Sequence, residues 1–299
     1  MAVTSITRLT REIKELARDK GADLVGIAPV SRFQEAPENR HPRFYIPQAQ
    51  SVVVVAMRVP LGILRSVAKG KEVYTYQGYA LKTINAELDM IAFQLANFIE
   101  RQGYEACPIP ANAPRDPLFR WGISHRHAAV AAGMGELGQH QLLLTPELGG
   151  KQKLVSIITD APLEPDPLVK HQICDHCNMC VNICPTQALT ADRFDTFHMD
   201  GMELASGHIT KWRCIFGCGG LTSKGTFAMT EFTLPESRPS TEEMFSYLAR
   251  KHPAQAYLER EVGAQPAWCA KCYAVCAVHL DKKKGDKSLS SEEKDKYIA

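Results

Sequence analysis

Apolar residues recur at helical spacing over residues 4–20, where Ile6, Leu9, Ile13, Leu16 and Ala17 share one face opposite Arg, Lys and Glu. Gly21 stands where a helix stop is expected. Residues 22–30 read as a buried strand, followed by a polar, proline-bearing loop to about residue 50. Residues 51–58, Ser-Val-Val-Val-Val-Ala-Met-Arg, form a continuous β-branched run and the clearest strand of the chain. The spacing of Leu81, Ile84, Leu88, Ile91, Leu95 and Ile99 predicts a long helix over 80–102 that Gly103 ends. Strands are predicted at 104–110 and 153–159, and a helix at 125–132. This alternation predicts an α+β or α/β unit over residues 1–165. A proline- and acid-rich stretch at 161–173 links it to a second unit over 166–280. Residues 281–299 carry six lysines against five acidic groups and almost nothing apolar, the composition of a solvated, disordered tail.

Composition narrows the function classes. The 299 residues are 45% hydrophobic and 23% charged, with a formal net charge of +2. Near-neutrality leaves no overall electrostatic footprint for nucleic acid. Apolar runs such as 51–57 are too short to span a bilayer. No export leader is read in the first twenty residues, and the cysteines stand in metal-type spacing, so a reducing, cytoplasmic setting is expected.

The chemistry concentrates in the cysteines. Cys174, Cys177, Cys180 and Cys184, with Pro185, have the spacing C-x2-C-x2-C-x3-C-P, the bacterial ferredoxin run that binds [4Fe–4S] clusters. Four closely spaced cysteines ending in Cys-Pro are unusual for structural zinc, the competing assignment. In two-cluster proteins the fourth cysteine serves the other cluster. The chain supplies a partner run in Cys269, Cys272 and Cys276. One cluster is then expected on Cys174, Cys177, Cys180 and Cys276. The other takes Cys184, Cys269 and Cys272, with a fourth ligand from the middle segment, where Cys214 and Cys218 both qualify by position. Cys107 is left over.

Gly133, Gly135 and Gly138 spell G-x-G-x-x-G. A dinucleotide fingerprint needs a preceding strand and a following helix, whereas residues 125–132 are helix formers. What survives is a loop whose backbone can approach something flat or bulky. From 132–140 through Thr159-Asp160 into the cysteine motif, the order of segments resembles the reductive dehalogenases and their relatives, the epoxyqueuosine reductases. The resemblance covers residues 100–280 well and the first hundred loosely.

That resemblance implies a nitroreductase-like domain holding cobalamin, followed by a ferredoxin-like domain with two [4Fe–4S] clusters: an α+β protein. It favours Cys214 as the eighth ligand. It makes Gly133, Gly135, Glu136, Gly138, Gln139, His140 and Arg126 candidate cofactor contacts. Dehalogenases take their proton from a tyrosine beside a basic residue, which points to Tyr79 and then Tyr76, with Arg120 and His125 as basic partners. Departures accompany it. The position of the catalytic aspartate of epoxyqueuosine reductases is Phe119 here, with Asp116 the nearest acid. The lysine of their glycine loop is Gln139. The chain continues for only 23 residues after Cys276, without the helical repeats that grip tRNA. Nucleic acid is therefore not expected as a partner. The expected function is a cobalamin-dependent reductase of a small substrate, fed by a ferredoxin- or flavodoxin-type donor. The alternative is an electron-transfer or corrinoid-activating protein, with flavin as the alternative cofactor.

Overall fold

A computed structural model of the chain describes residues 5–70, 74–112, 122–170, 172–224, 230–253 and 269–285. Arg120, Phe119 and Asp116 lie outside the described residues, as does the tail beyond 285.

Helix α1 (Ile6–Asp19) is capped by Ser5, whose side chain accepts the Arg8 N–H, and buries Leu9, Ile13 and Ala17. Strand β1 (Leu24–Pro29) and strand β2 (Ser51–Arg58) pair antiparallel. Helix α2 (Leu61–Ala68) follows. A π-helical segment, Tyr76–Thr83, runs without a break into helix α3 (Ile84–Arg101). The sequence predicts a single regular helix there; the apolar stripe is buried as expected, but its first turns are widened. Strand β3 (Ala106–Ile109), helix α4 (His125–Ala131), the short strands β4 (Glu136–Leu137) and β5 (Leu143–Leu144), and strand β6 (Gln152–Thr159) complete the first half. The main sheet is antiparallel throughout, in the order β1-β2-β6-β3.

The valine run of β2 is explained by two cores. Val53 and Val55 pack with α1, α2 and α3 on one face, and Val52 and Val54 with α4 and the glycine loop on the other. A strand covered on both faces needs no polar alternation, and each fully buried aliphatic side chain contributes roughly 1.5–3 kcal/mol.

The second half is built on helix α5 (Met179–Asn182), strands β7 (Leu189–Met199) and β8 (Met202–Ile209), helices α6 (Lys211–Cys218) and α7 (Thr241–Ala249), and helix α8 (Lys271–Gly285). β7 and β8 form a hairpin turned at Asp200-Gly201, both at positive φ. An Asp-Gly pair is a strong hairpin signal, and here it closes the turn between the two strands. α7 carries a complete capping box between Ser240 and Glu243. α8 does not stay with the second half. Ala270, Tyr273, Ala274 and Ala277 enter the core of α1, α2 and α3, and Lys151 pairs with Asp281. The second cysteine run is thereby pinned to the first half. Among the described residues, no helix is long and apolar enough to cross a membrane.

Candidate metal centre and adjoining cleft

The first cysteine loop turns back on itself at His176 and Asn178, at φ +52° and +56°. Histidine and asparagine are among the residues that tolerate this conformation best. The turns bring Cys174, Cys177 and Cys180 to one side, and α8 brings Cys276 against them. These four line a cavity of about 20 Å³ with Gln139 and His140. His279 of α8 hydrogen-bonds Asp175 at 2.9 Å and holds the helix to the loop. Burial, with Cys180, Cys174 and Cys177 close by, pushes the Cys276 thiol up. Burial and the same neighbours push Cys180 up to about 12. Crowded thiols that resist ionisation are relieved by metal, which deprotonates a coordinating thiol outright. The donor set fits an iron–sulfur cluster.

A second group forms where α6 meets the start of α8. Cys214 and Cys218, one turn apart on α6, have their sulfurs 3.7 Å apart. Cys218 also hydrogen-bonds Cys269. Cys272 is pushed up by burial and by Cys218, Cys269 and Cys184. Five sulfurs thus gather where four ligands are needed, and Cys218 is a full member of the group.

Beside the first cavity opens a cleft of about 380 Å³ between the glycine loop and the β7–β8 hairpin. Its walls include Gly135, Glu136 and Gly138 on one side and Phe194, Phe197 and Leu204 on the other. Cys174, Gln139 and His176 line both spaces. Glu136 Oε1 accepts the backbone N–H groups of Ile173 at 2.8 Å and Cys174 at 2.5 Å, joining the glycine loop to the first cysteine. Gln139 donates to Thr190 O at 2.6 Å and pairs with His176. The hairpin is held from below by Arg32, a buried residue the sequence analysis did not single out. Arg32 donates to Ala131 O and Asp166 O and pairs with Asp200 at 2.6 Å. An arginine in a loop of mixed polarity carries no pattern that would reveal this.

The other candidate residues are placed as follows. A Cβ on Gly133 would lie 2.0 Å from Pro167 O, and one on Gly135 1.8 Å from Leu144 O. These glycines are required by the protein's own backbone. Arg126 donates to Gln141 O. His125 is buried, with Nδ1 on Ser156 Oγ at 2.8 Å and Nε2 on Pro110 O at 3.0 Å. His140 is buried, and desolvation with Arg126 nearby holds it down to about 4. Tyr79 is 60% exposed. Tyr76 is buried; its hydroxyl accepts from Lys153 Nζ at 2.9 Å. Lys153 also lies over the rings of Tyr76 and Tyr273, and burial lowers it to about 8. Neither Tyr76 nor Tyr79 lines the cleft. Tyr76 is raised by burial and then by Cys218, Cys272 and Cys269, which places it beside the second cysteine group.

The cleft has the volume of a small-molecule site. A whole cobalamin exceeds it, and the glycines face protein, so the described residues do not fit a whole corrinoid with the hairpin in this position.

No protein-family model matches the chain. Its homologues are reductive dehalogenases and epoxyqueuosine reductases. It is 26% identical over 217 residues to a tetrachloroethene reductive dehalogenase of Sulfurospirillum multivorans, covering 62% of this chain and 42% of that protein. It is 25% identical over 208 residues to an epoxyqueuosine reductase of Synechococcus sp. (strain CC9605), covering 61% of each. The chain thus spans less than two thirds of either relative. In fold it resembles the epoxyqueuosine reductase of Bacillus subtilis, with a TM-score of 0.57 at 19% identity over 94% of this chain and 84% of that one. The same fold occurs in an epoxyqueuosine reductase solved with a tRNA stem loop.

Proposed function

We propose that the chain is an iron–sulfur reductase. Cys174, Cys177, Cys180 and Cys276 hold one [4Fe–4S] cluster; Cys184, Cys269, Cys272 and Cys214 hold the other, with Cys218 as the competing eighth ligand. Electrons from a ferredoxin- or flavodoxin-type donor enter at the second cluster, pass to the first and leave at the cleft. The observation that carries this reading is the shared wall: Cys174, Gln139 and His176 border both the first cysteine cavity and the cleft. Two clusters together can deliver the two electrons that reduction of a carbon–halogen or similar bond consumes. Cobalamin is the acceptor suggested by the resemblance, although the cleft between the glycine loop and the β7–β8 hairpin does not fit a whole corrinoid. The cleft's small volume favours a second reading, an electron-transfer protein without substrate chemistry of its own. A small molecule remains the proposed substrate, and because a relative is solved with a tRNA stem loop, tRNA stands beside it as a candidate.

Anaerobic reconstitution tests the core of this. About eight irons and eight sulfides per chain are expected, and about four would refute the two-cluster assignment. Titration with cob(II)alamin, with flavin and with tRNA, followed by absorption and by salt-dependent binding, separates the partners. A flavin-loaded protein without affinity for corrinoid would remove cobalamin from the scheme.

A further inference from the structure

His140 follows the glycine loop and is 2% exposed. It lines the small cavity between Cys174, Cys177, Cys180 and Cys276 and is absent from the wall of the larger cleft. The Leu142 backbone N–H donates to its Nδ1 at 3.2 Å. A ring nitrogen that accepts carries no proton, so the proton of this imidazole sits on Nε2. That Nε2 is buried and has no hydrogen-bond partner among the described residues. A buried donor without an acceptor is costly and calls for an explanation, an unplaced ion or cofactor among them. Gly138 leaves room for the ring: a Cβ there would stand 3.2 Å from His140 Cε1 and 2.8 Å from Leu144.

We propose that His140 Nε2–H donates a hydrogen bond to a sulfur of the first [4Fe–4S] cluster, making His140 a positioning residue that sets that cluster's potential. This rests on the reading of the four surrounding cysteines as a cluster site. Hydrogen bonds to cluster sulfurs stabilise the added negative charge of the reduced form and raise the reduction potential. Electrons would then collect on the cluster that borders the cleft. A protonated Nε2 cannot ligate iron, and four thiolates already surround the cavity, so a ligand role is excluded by the same tautomer. The placement also argues against an axial role toward a group in the cleft.

The test is an EPR-monitored redox titration of the reconstituted full chain and its His140→Leu and His140→Gln variants, with iron analysis of each. The first cluster's signal is identified as the one altered by Cys276→Ser. In His140→Leu, full iron content is expected, with a more negative potential for the first cluster and no change in the second. In His140→Gln, whose amide can still donate, part of the shift should be recovered. An unshifted first cluster at full iron content overturns the hydrogen bond. Loss of half the iron in both variants overturns it in favour of a ligand role. A parent protein lacking the first cluster overturns the cluster reading itself and is recognised before any variant is made.

Discussion

Glu136 takes the backbone N–H of Cys174 on its carboxylate at 2.5 Å, so a residue of the glycine loop fixes the position of the first cysteine of the motif. The same oxygen accepts from Ile173, and the Gln139–His176 contact adds a second link between the two segments. Hydrogen bonds to a charged group contribute about 1.5–3 kcal/mol each. Glu136→Ala is therefore expected to loosen the first cysteine loop while leaving the sheet intact. Iron retention after chelator challenge should fall to about half the parental value, with Glu136→Gln intermediate. Full retention in the alanine variant would remove Glu136 from the site.

Arg32 joins α4, the 161–170 segment and the hairpin turn through Ala131, Asp166 and Asp200. Removing the guanidinium leaves the Ala131 and Asp166 carbonyls without this donor, at a cost of about 1–3 kcal/mol for each buried group. Arg32→Leu is expected to lower the denaturant midpoint accordingly. Asp200→Asn, at a partner 45% exposed in its side chain, should cost well under half as much. Equal effects would contradict the geometry.

The two tyrosines should behave differently. Tyr79 is exposed, so Tyr79→Phe is expected to stay within about 0.5 kcal/mol of the parent. Tyr76→Phe strips Lys153 of its hydroxyl acceptor and should cost about 1.5–3 kcal/mol. If Tyr76 is also the proton donor, turnover with any substrate found should fall about 100- to 10,000-fold. A stable Tyr76→Phe protein would show that the Lys153 contact contributes little, and parental turnover would end the catalytic assignment.

His127 bonds Ser124 at 2.8 Å and stands edge-on to Phe197. Burial, then Arg126, Lys211 and Arg40, hold it near 4 against an ordinary 6.5. The unfolded chain takes up this proton first, so stability is lost as pH falls from 6.5 toward 4, by at most about 3 kcal/mol. The stability difference between the parent and His127→Gln should narrow over that window. A constant difference from neutral pH into the acid range would show that the group titrates normally.

The strands and helices of the first half were legible because their periodicity is unbroken: the valine run of β2, the face of α1 and the stripe of α3 each report burial directly. The cysteine spacing likewise pointed to the proposed cluster chemistry, since three candidate ligands lie within a single loop. Tertiary structure decided the rest. The paired cysteine runs already set Cys276 beside Cys174; what the fold added is the means, α8 packing its alanines into the first core across a hundred residues of sequence. The glycines of the loop read as room for a cofactor, yet Pro167 and Leu144 occupy that space, because glycine records only that a side chain is excluded and not by what. Tyr76 was separated from Tyr79 by the π-helical turns that send one ring inward to Lys153 and the other outward. Nor could spacing reveal the bare Nε2 of His140, since an unpaired donor exists only once every neighbouring group has its place.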